Sequence, residues 1–147
     1  MQEHDAGHLD GASPSQATEA LEAEDLEDLG YVMRATRVWA HAPELHEQWS
    51  QAVAAAASAA GLGFRDKGVL VAATASEMGD AYCALAWGAR LASAAGDDVA
   101  VAVLEGDEAA LAERDRALAT WARHVVRDPN ATTRADVDAL RTAGLDD

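Results

Sequence analysis

The sequence predicts an all-α protein, and three observations predict it. Half of the residues are hydrophobic, mostly alanine with leucine behind it, and both are strong helix formers. Aromatic residues make up only 5% and β-branched runs are short, which leaves little to build strands from. Apolar residues recur at three- and four-residue intervals between Gly, Pro and Asp breaks. A chain of 147 residues suits one domain and buries roughly 70% of its unfolded surface.

Residues 1–20 mix Gly, Ser, Pro, Asp and Glu with almost no apolar periodicity, so a flexible acidic tail is expected. His4 and His8 have the spacing of a metal pair, but the segment offers no rigid scaffold. The helical domain is expected over 21–147. Residues 20–28 are acidic and read as a short helix or a docking turn. From Leu29 to Ala40 an apolar face of Val32, Ala35, Val38 and Trp39 appears, with Arg34 and Arg37 on another side. Those arginines read as solvated or paired with the many acids, although a small anion is an alternative.

Pro43 suits a first helical position, and Glu44 and Glu47 suit the positive end of the dipole. That helix is expected to run to Ala60 with Leu45, Trp49, Val53 and Ala56 facing inward. His41 and His46 diverge on a helix and make a poor metal pair. Gly61-Leu62-Gly63 ends this element. The next helix is expected over 64–77, with Val69, Leu70, Ala73 and Ser76 available for packing. Gly68 lies inside it, where it costs about 0.5–1 kcal/mol relative to alanine. Such a glycine suggests a close approach by another segment or a void.

A short Gly79-Asp80 joint leads into a helix ending near Ala95-Gly96, so the two helices form an antiparallel hairpin. Residues 97–106 alternate valine with alanine, but a lone strand has no partner and a short helix is expected. Gly106-Asp107 is expected to cap a helix over 108–127, with Leu111, Leu118, Trp121, Ala122 and Val125 inward. Glu113, Arg114, Asp115 and Arg116 read as its solvated outer face. His124 and Asp128 lie at i,i+4 late in a helix, and the histidine reads as a surface group suited to the dipole's negative end more than as a base. Asp128-Pro129-Asn130 stops that helix. Thr133 with Asp136 caps a last helix to Ala143, closed by Gly144.

The formal net charge is −15, and Lys67 is the only lysine. Such a chain repels phosphate backbones and anionic lipid, so nucleic acid and membrane surfaces are poor partners. No apolar run reaches membrane-spanning length. The acidic start lacks a signal peptide's basic and apolar regions. One cysteine excludes an internal disulfide, and the expected location is the cytoplasm. Asn130-Ala131-Thr132 matches a glycosylation sequon, but nothing here targets the chain for secretion. Serine-hydrolase, P-loop and dinucleotide motifs are absent, and no cofactor is expected.

The lone cysteine, Cys83, falls near the start of a helix, where orphan N–H groups and the dipole can stabilise a thiolate. Asp80 and Trp87 share its face at helical spacing. The run Met78-Gly79-Asp80-Ala81-Tyr82-Cys83-Ala84-Leu85-Ala86-Trp87-Gly88 resembles the motif of the carboxymuconolactone decarboxylase/alkylhydroperoxidase D superfamily. That motif is roughly Asn-x-Cys-x-Tyr-Cys-x-x-Ala-His-Gly. Tyr82, Cys83, Ala86 and Gly88 match in register. His41-Ala42-Pro43-Glu44-Leu45 and the run from Pro129 through Val137, Leu140 and Gly144-Leu145-Asp146 resemble its peroxidase-related branch. The resemblance spans roughly residues 30–147.

The resemblance implies an alkylhydroperoxidase D-like helical bundle built on the antiparallel hairpin, and a homo-oligomer. It also implies a further helix beyond Asp147, so an apolar face is left for a partner chain. The family's thiol peroxidases, antioxidant oxidoreductases, use two cysteines, a histidine and a glutamate. Cys83 matches the second, peroxide-attacking cysteine and is the candidate catalytic residue. Asp80 stands in place of the first cysteine, Trp87 in place of the histidine and Gly68 in place of the glutamate.

A lone thiolate can still attack a peroxide if an external thiol reductant completes the cycle. Against efficient turnover stand the missing resolving cysteine, the like charge of Asp80, which raises a thiol pKa, and a tryptophan that moves no proton. Lactone decarboxylation loses its acid–base groups at Gly68 and Trp87. Two readings therefore remain. One is a thiol-dependent peroxidase using Cys83. The other is a non-catalytic oligomeric or small-ligand-binding module on the same fold, with Cys83 as a packing residue and a pocket expected near Asp80 and Trp87.

Overall fold

The computed structural model describes residues 10–145. Every regular element among them is helical: eight α-helices and two short 3-10 turns. None of these helices is long and apolar enough to cross a membrane. His4, His8 and the rest of residues 1–9 of the expected acidic tail lie outside the described residues. The chain divides into two compact units at Ala55–Ala56.

In the first unit, α1 spans Gln16–Leu29. It starts earlier than expected because Ser15 and Thr18 form a capping box: the Thr18 N–H donates to Ser15 Oγ at 3.2 Å, and the Ser15 N–H to Thr18 Oγ1 at 2.8 Å. Residues 16–20 are therefore helix, not tail. Gly30 ends α1 with φ +76°, a left-handed conformation that favours glycine. The buried Asp25 accepts the Met33 N–H at 2.7 Å and fixes the turn into α2, Arg34–Trp39.

The helix starting at Pro43 is α3, Pro43–Ala59. Its expected inward face is not buried. Leu45 is 57% and Trp49 52% exposed, Ala56 is exposed, and Val53 is half-buried. Val38 of α2 is likewise exposed. Helical periodicity marks an apolar face but does not say that something covers it. The Trp39, His46 and Trp49 rings cluster instead at centroid distances of 5.2–6.2 Å.

The second unit holds a continuous core. It contains α4 (Phe64–Met78), α5 (Ala81–Ala95), α6 (Asp97–Glu105), α7 (Glu113–Arg127) and α8 (Arg134–Thr142). Leu91, Val69 and Val103 are fully enclosed, each stabilising the fold by about 1.5–3 kcal/mol. Ala72, Ala73, Leu118 and Ala119 fill the space between them.

Helices α4 and α5 form the expected hairpin. Gly79, at φ +69°, ends α4, and Asp80 caps α5. Gly68, near the start of α4, faces Leu91, near the end of α5. A Cβ at Gly68 would lie 3.2 Å from Leu91 Cδ1 and 3.5 Å from its Cβ. The expected close approach is thus present, and Leu91 fills the space that a longer side chain would need.

The segment 97–105 is helical, as expected. Gly106, at φ +76°, ends α6 and does not cap the following helix. A 3-10 turn at Glu108–Ala110 and the extended Leu111 come before α7. Leu111 is buried from the turn before α7, whereas Val125, expected inward, is exposed.

The charged start of α7 also departs from expectation. Asp115 is 2% exposed. Arg65 donates to it through Nε and Nη2 at 3.1 and 2.6 Å. Reciprocally, Arg114 donates to Asp66 at 2.9 and 3.1 Å. Asp66 also accepts the Gly63 N–H and so caps α4. These charges tie α4 to α7, because a buried carboxylate is tolerated only with charged hydrogen-bond donors. At the chain's other end, Thr133 and Asp136 form the expected capping box of α8.

Candidate functional site

The start of α5 brings Asp80 and Cys83 together. The Asp80 carboxylate accepts the backbone N–H groups of Tyr82 and Cys83, both at 3.0 Å. These bonds, with hydrogen bonding from the Cys83 side chain, hold the Asp80 carboxyl below the usual range. Cys83 is half-buried. Burial first, then hydrogen bonding to Asp80 and its charge, push the thiol up from its ordinary value. The N–H groups that could favour a thiolate are already taken by a carboxylate.

Trp87 lies one turn further along α5. Its ring packs against Phe64 at 6.1 Å. The Lys67 ammonium and the Arg90 guanidinium each lie 5.2 Å from its centroid. Gly68 is on the other helix beneath Leu91. Leu91 lies two turns of α5 beyond Cys83, about 12 Å along the axis. The motif positions thus separate into Asp80 with Cys83 at the hairpin bend, Trp87 in a cationic aromatic cluster, and Gly68 in the core.

The other candidates are also placed. The His124 Nδ1 lies 3.0 Å from Asp136 Oδ1 of α8, so Asp128 is not its partner. Asp128 instead accepts the Asn130 N–H at 2.9 Å. His46 belongs to the ring cluster of the first unit, and His41 contacts the Asp10 carbonyl at 3.0 Å. Among the described residues, no three His, Cys, Asp or Glu side chains gather closely enough to hold a metal ion.

A groove of about 310 Å³ lies between α7 and α8, walled by Ala117, Thr120, Trp121 and Ala139 with Arg116 and Asp136 at its edges. It does not include Asp80, Cys83 or Trp87.

Sequence reasoning missed the buried Arg123, 6% exposed. Its guanidinium donates to the carbonyls of Ala73, at 3.3 Å, and of Val103, and lies 3.6 Å from Glu77. It therefore ties α4, α6 and α7 together. Its position two residues after Trp121 and within an apolar run was the available signal. The Lys67–Trp87–Arg90 cluster was partly signalled by the three-residue spacing of Trp87 and Arg90.

No known family model matches the chain, and no curated protein matches it significantly.

Proposed function

We propose that the chain is an alkylhydroperoxidase D-like helical protein in which the two-cysteine peroxidase relay is dismantled. It keeps the hairpin as a non-catalytic, oligomer-forming or ligand-binding module, and Cys83 remains a protonated, slow-reacting thiol. One observation carries this reading: Asp80 occupies the N–H groups at the start of α5 and sits beside the sulfur. The resemblance of the Tyr82-Cys83 run, placed just after a tight helix–helix joint, supports the fold assignment.

A second reading is a single-cysteine peroxidase. Cys83 attacks the peroxide O–O bond, leaving a sulfenic acid and releasing the alcohol or water, and an external thiol reduces the sulfenic acid. The half-exposed position of Cys83, open to a small peroxide, favours it.

Stopped-flow peroxide consumption by the wild type and Cys83→Ser, with excess dithiol, separates the two. The first reading expects both at the background rate. Cys83-dependent turnover that saturates with peroxide establishes the second and removes the first.

A further inference from the structure

We propose that Phe64, Lys67, Trp87 and Arg90 form a binding site for a small organic monoanion, a carboxylate carried on a flat apolar body. This deepens the non-catalytic reading by naming a ligand class, and it requires no reaction at Cys83.

The first ground is the distribution of charge. In a chain with 26 acidic residues and 11 Lys and Arg, a cation finds a carboxylate easily. In the second unit Arg65, Arg114, Arg123, Arg127, Arg134 and Arg141 all do so. Lys67 and Arg90 have no carboxylate partner among the described residues. Both point at one indole, each 5.2 Å from its centroid. The ring's electron-rich face attracts them but does not neutralise their charge. Arg116 also has no carboxylate ion pair among the described residues, but it lies at the edge of the α7–α8 groove beside Glu113 and Asp136.

The second ground is the apolar surface beside them. Phe64 is 57% exposed and inclined 36° to Trp87 at a centroid distance of 6.1 Å. Lys67, Trp87 and Arg90 are half-buried, so the aliphatic stems lie along the indole while the charged ends remain within reach of a ligand. Two cations beside one indole, with the exposed Phe64 ring next to it, offer positive charge and two aromatic faces to a carboxylate on a flat body. The overall charge of −15 selects against nucleic acids and acidic peptides, which the rest of the surface repels. A single carboxylate meets that repulsion least.

Isothermal titration of the full chain with 1-naphthoate at low salt tests the site. Saturable binding is expected, weakened about tenfold by Lys67→Gln or Arg90→Gln and lost in the double variant, with circular dichroism confirming that each variant keeps its helices. Neutral 1-naphthalenemethanol should bind at least about tenfold more weakly. Cys83→Ser should bind as the wild type does, so loss of peroxide chemistry and loss of this site are told apart. Lys67, the only lysine, gives a check on the unmodified chain: naphthoate should slow acetylation of its Nζ. Undiminished binding by the double variant, binding that depends on Arg116 instead, or no binding at millimolar naphthoate together with unprotected Lys67 overturns the proposal.

Discussion

Arg65 and Asp115 are fifty residues apart in the chain and joined by two hydrogen bonds. Arg123 meets the Ala73 carbonyl, and Arg127 meets Glu77, at the same interval of fifty. A constant interval with both numbers rising means that α4 and α7 run parallel in a single register. Two Arg-Asp dipeptides, Arg65-Asp66 and Arg114-Asp115, exchange partners across that pairing.

The two ends of the Arg65–Asp115 pair should respond unequally to mutation. Arg65→Ala leaves a buried carboxylate without its donor and is expected to cost about 3 kcal/mol. Asp115→Ala lets the half-exposed arginine return to water and should cost clearly less. Urea unfolding of both variants measures this. Equal losses, or a larger loss for Asp115→Ala, would contradict the description.

Asp66 gives a dependence on acidity. The Arg114 hydrogen bond, and then the Gly63 N–H, hold its folded carboxyl below the unfolded value. The folded state therefore binds that proton less readily than the unfolded state. The stabilisation is complete above about pH 4, where the unfolded carboxyl titrates, and is lost as pH falls toward the folded value. Asp66→Asn should be less stable at neutral pH and show a flatter decline from pH about 5 to 3. An unchanged slope in chemical denaturation across that range would count against the pair.

Restoring the glutamate of the resembled family at position 68 should not restore chemistry. The new side chain would meet Leu91, so Gly68→Glu is expected to destabilise by about 2 kcal/mol and leave thiol reactivity unchanged. Gly68→Ala should be close to neutral, because the helix-propensity gain of about 1 kcal/mol is offset by crowding at 3.2 Å. Thermal unfolding and thiol alkylation together check both. Faster alkylation in Gly68→Glu would show that position 68 communicates with the sulfur.

Burial is the first cause of the raised Cys83 pKa, the hydrogen bond to Asp80 the second, and the charge of Asp80, which opposes ionisation, the third. Asp80→Asn keeps a side-chain acceptor for the cap but removes the charge. Its thiol pKa should fall, and iodoacetamide alkylation at pH about 8 should speed up several-fold. Stability should change little, because asparagine caps a helix about as well as aspartate. A rate that does not change, measured over a range of pH, would leave burial and the hydrogen bond as the causes and remove the charge.

Much of the second unit was legible because its ends carry local chemistry. The Gly79-Asp80 joint, Gly96, and the Thr133–Asp136 box mark boundaries that neighbouring residues decide. Gly68 was legible for the same reason, as an internal glycine that needs a packing explanation. The buried Asp115 was not. Glu113-Arg114-Asp115-Arg116 looks like any solvated face, and only the distant Arg65 makes burial tolerable. Leu45 and Trp49 failed in the opposite direction, since their spacing marks a face and their exposure depends on what covers it. At the site, the neighbours of Cys83 were readable from helical spacing. The meeting of Lys67 with Trp87 joins two helices, and no local rule supplies it.

The parallel register of α4 and α7 has a bearing on how the chain acquires its structure. The α4–α5 hairpin closes over a two-residue bend and costs little loop entropy. The α4–α7 seam forms only after α5 and α6 have brought the chain back to its starting end. Contacts at that separation carry the larger loop-closure cost and so form late, after the hairpin, and Arg123 links three of the helices involved. Kinetic measurements should therefore find substitutions at Gly79 altering the refolding limb, whereas those at Arg65 or Arg127 chiefly accelerate unfolding.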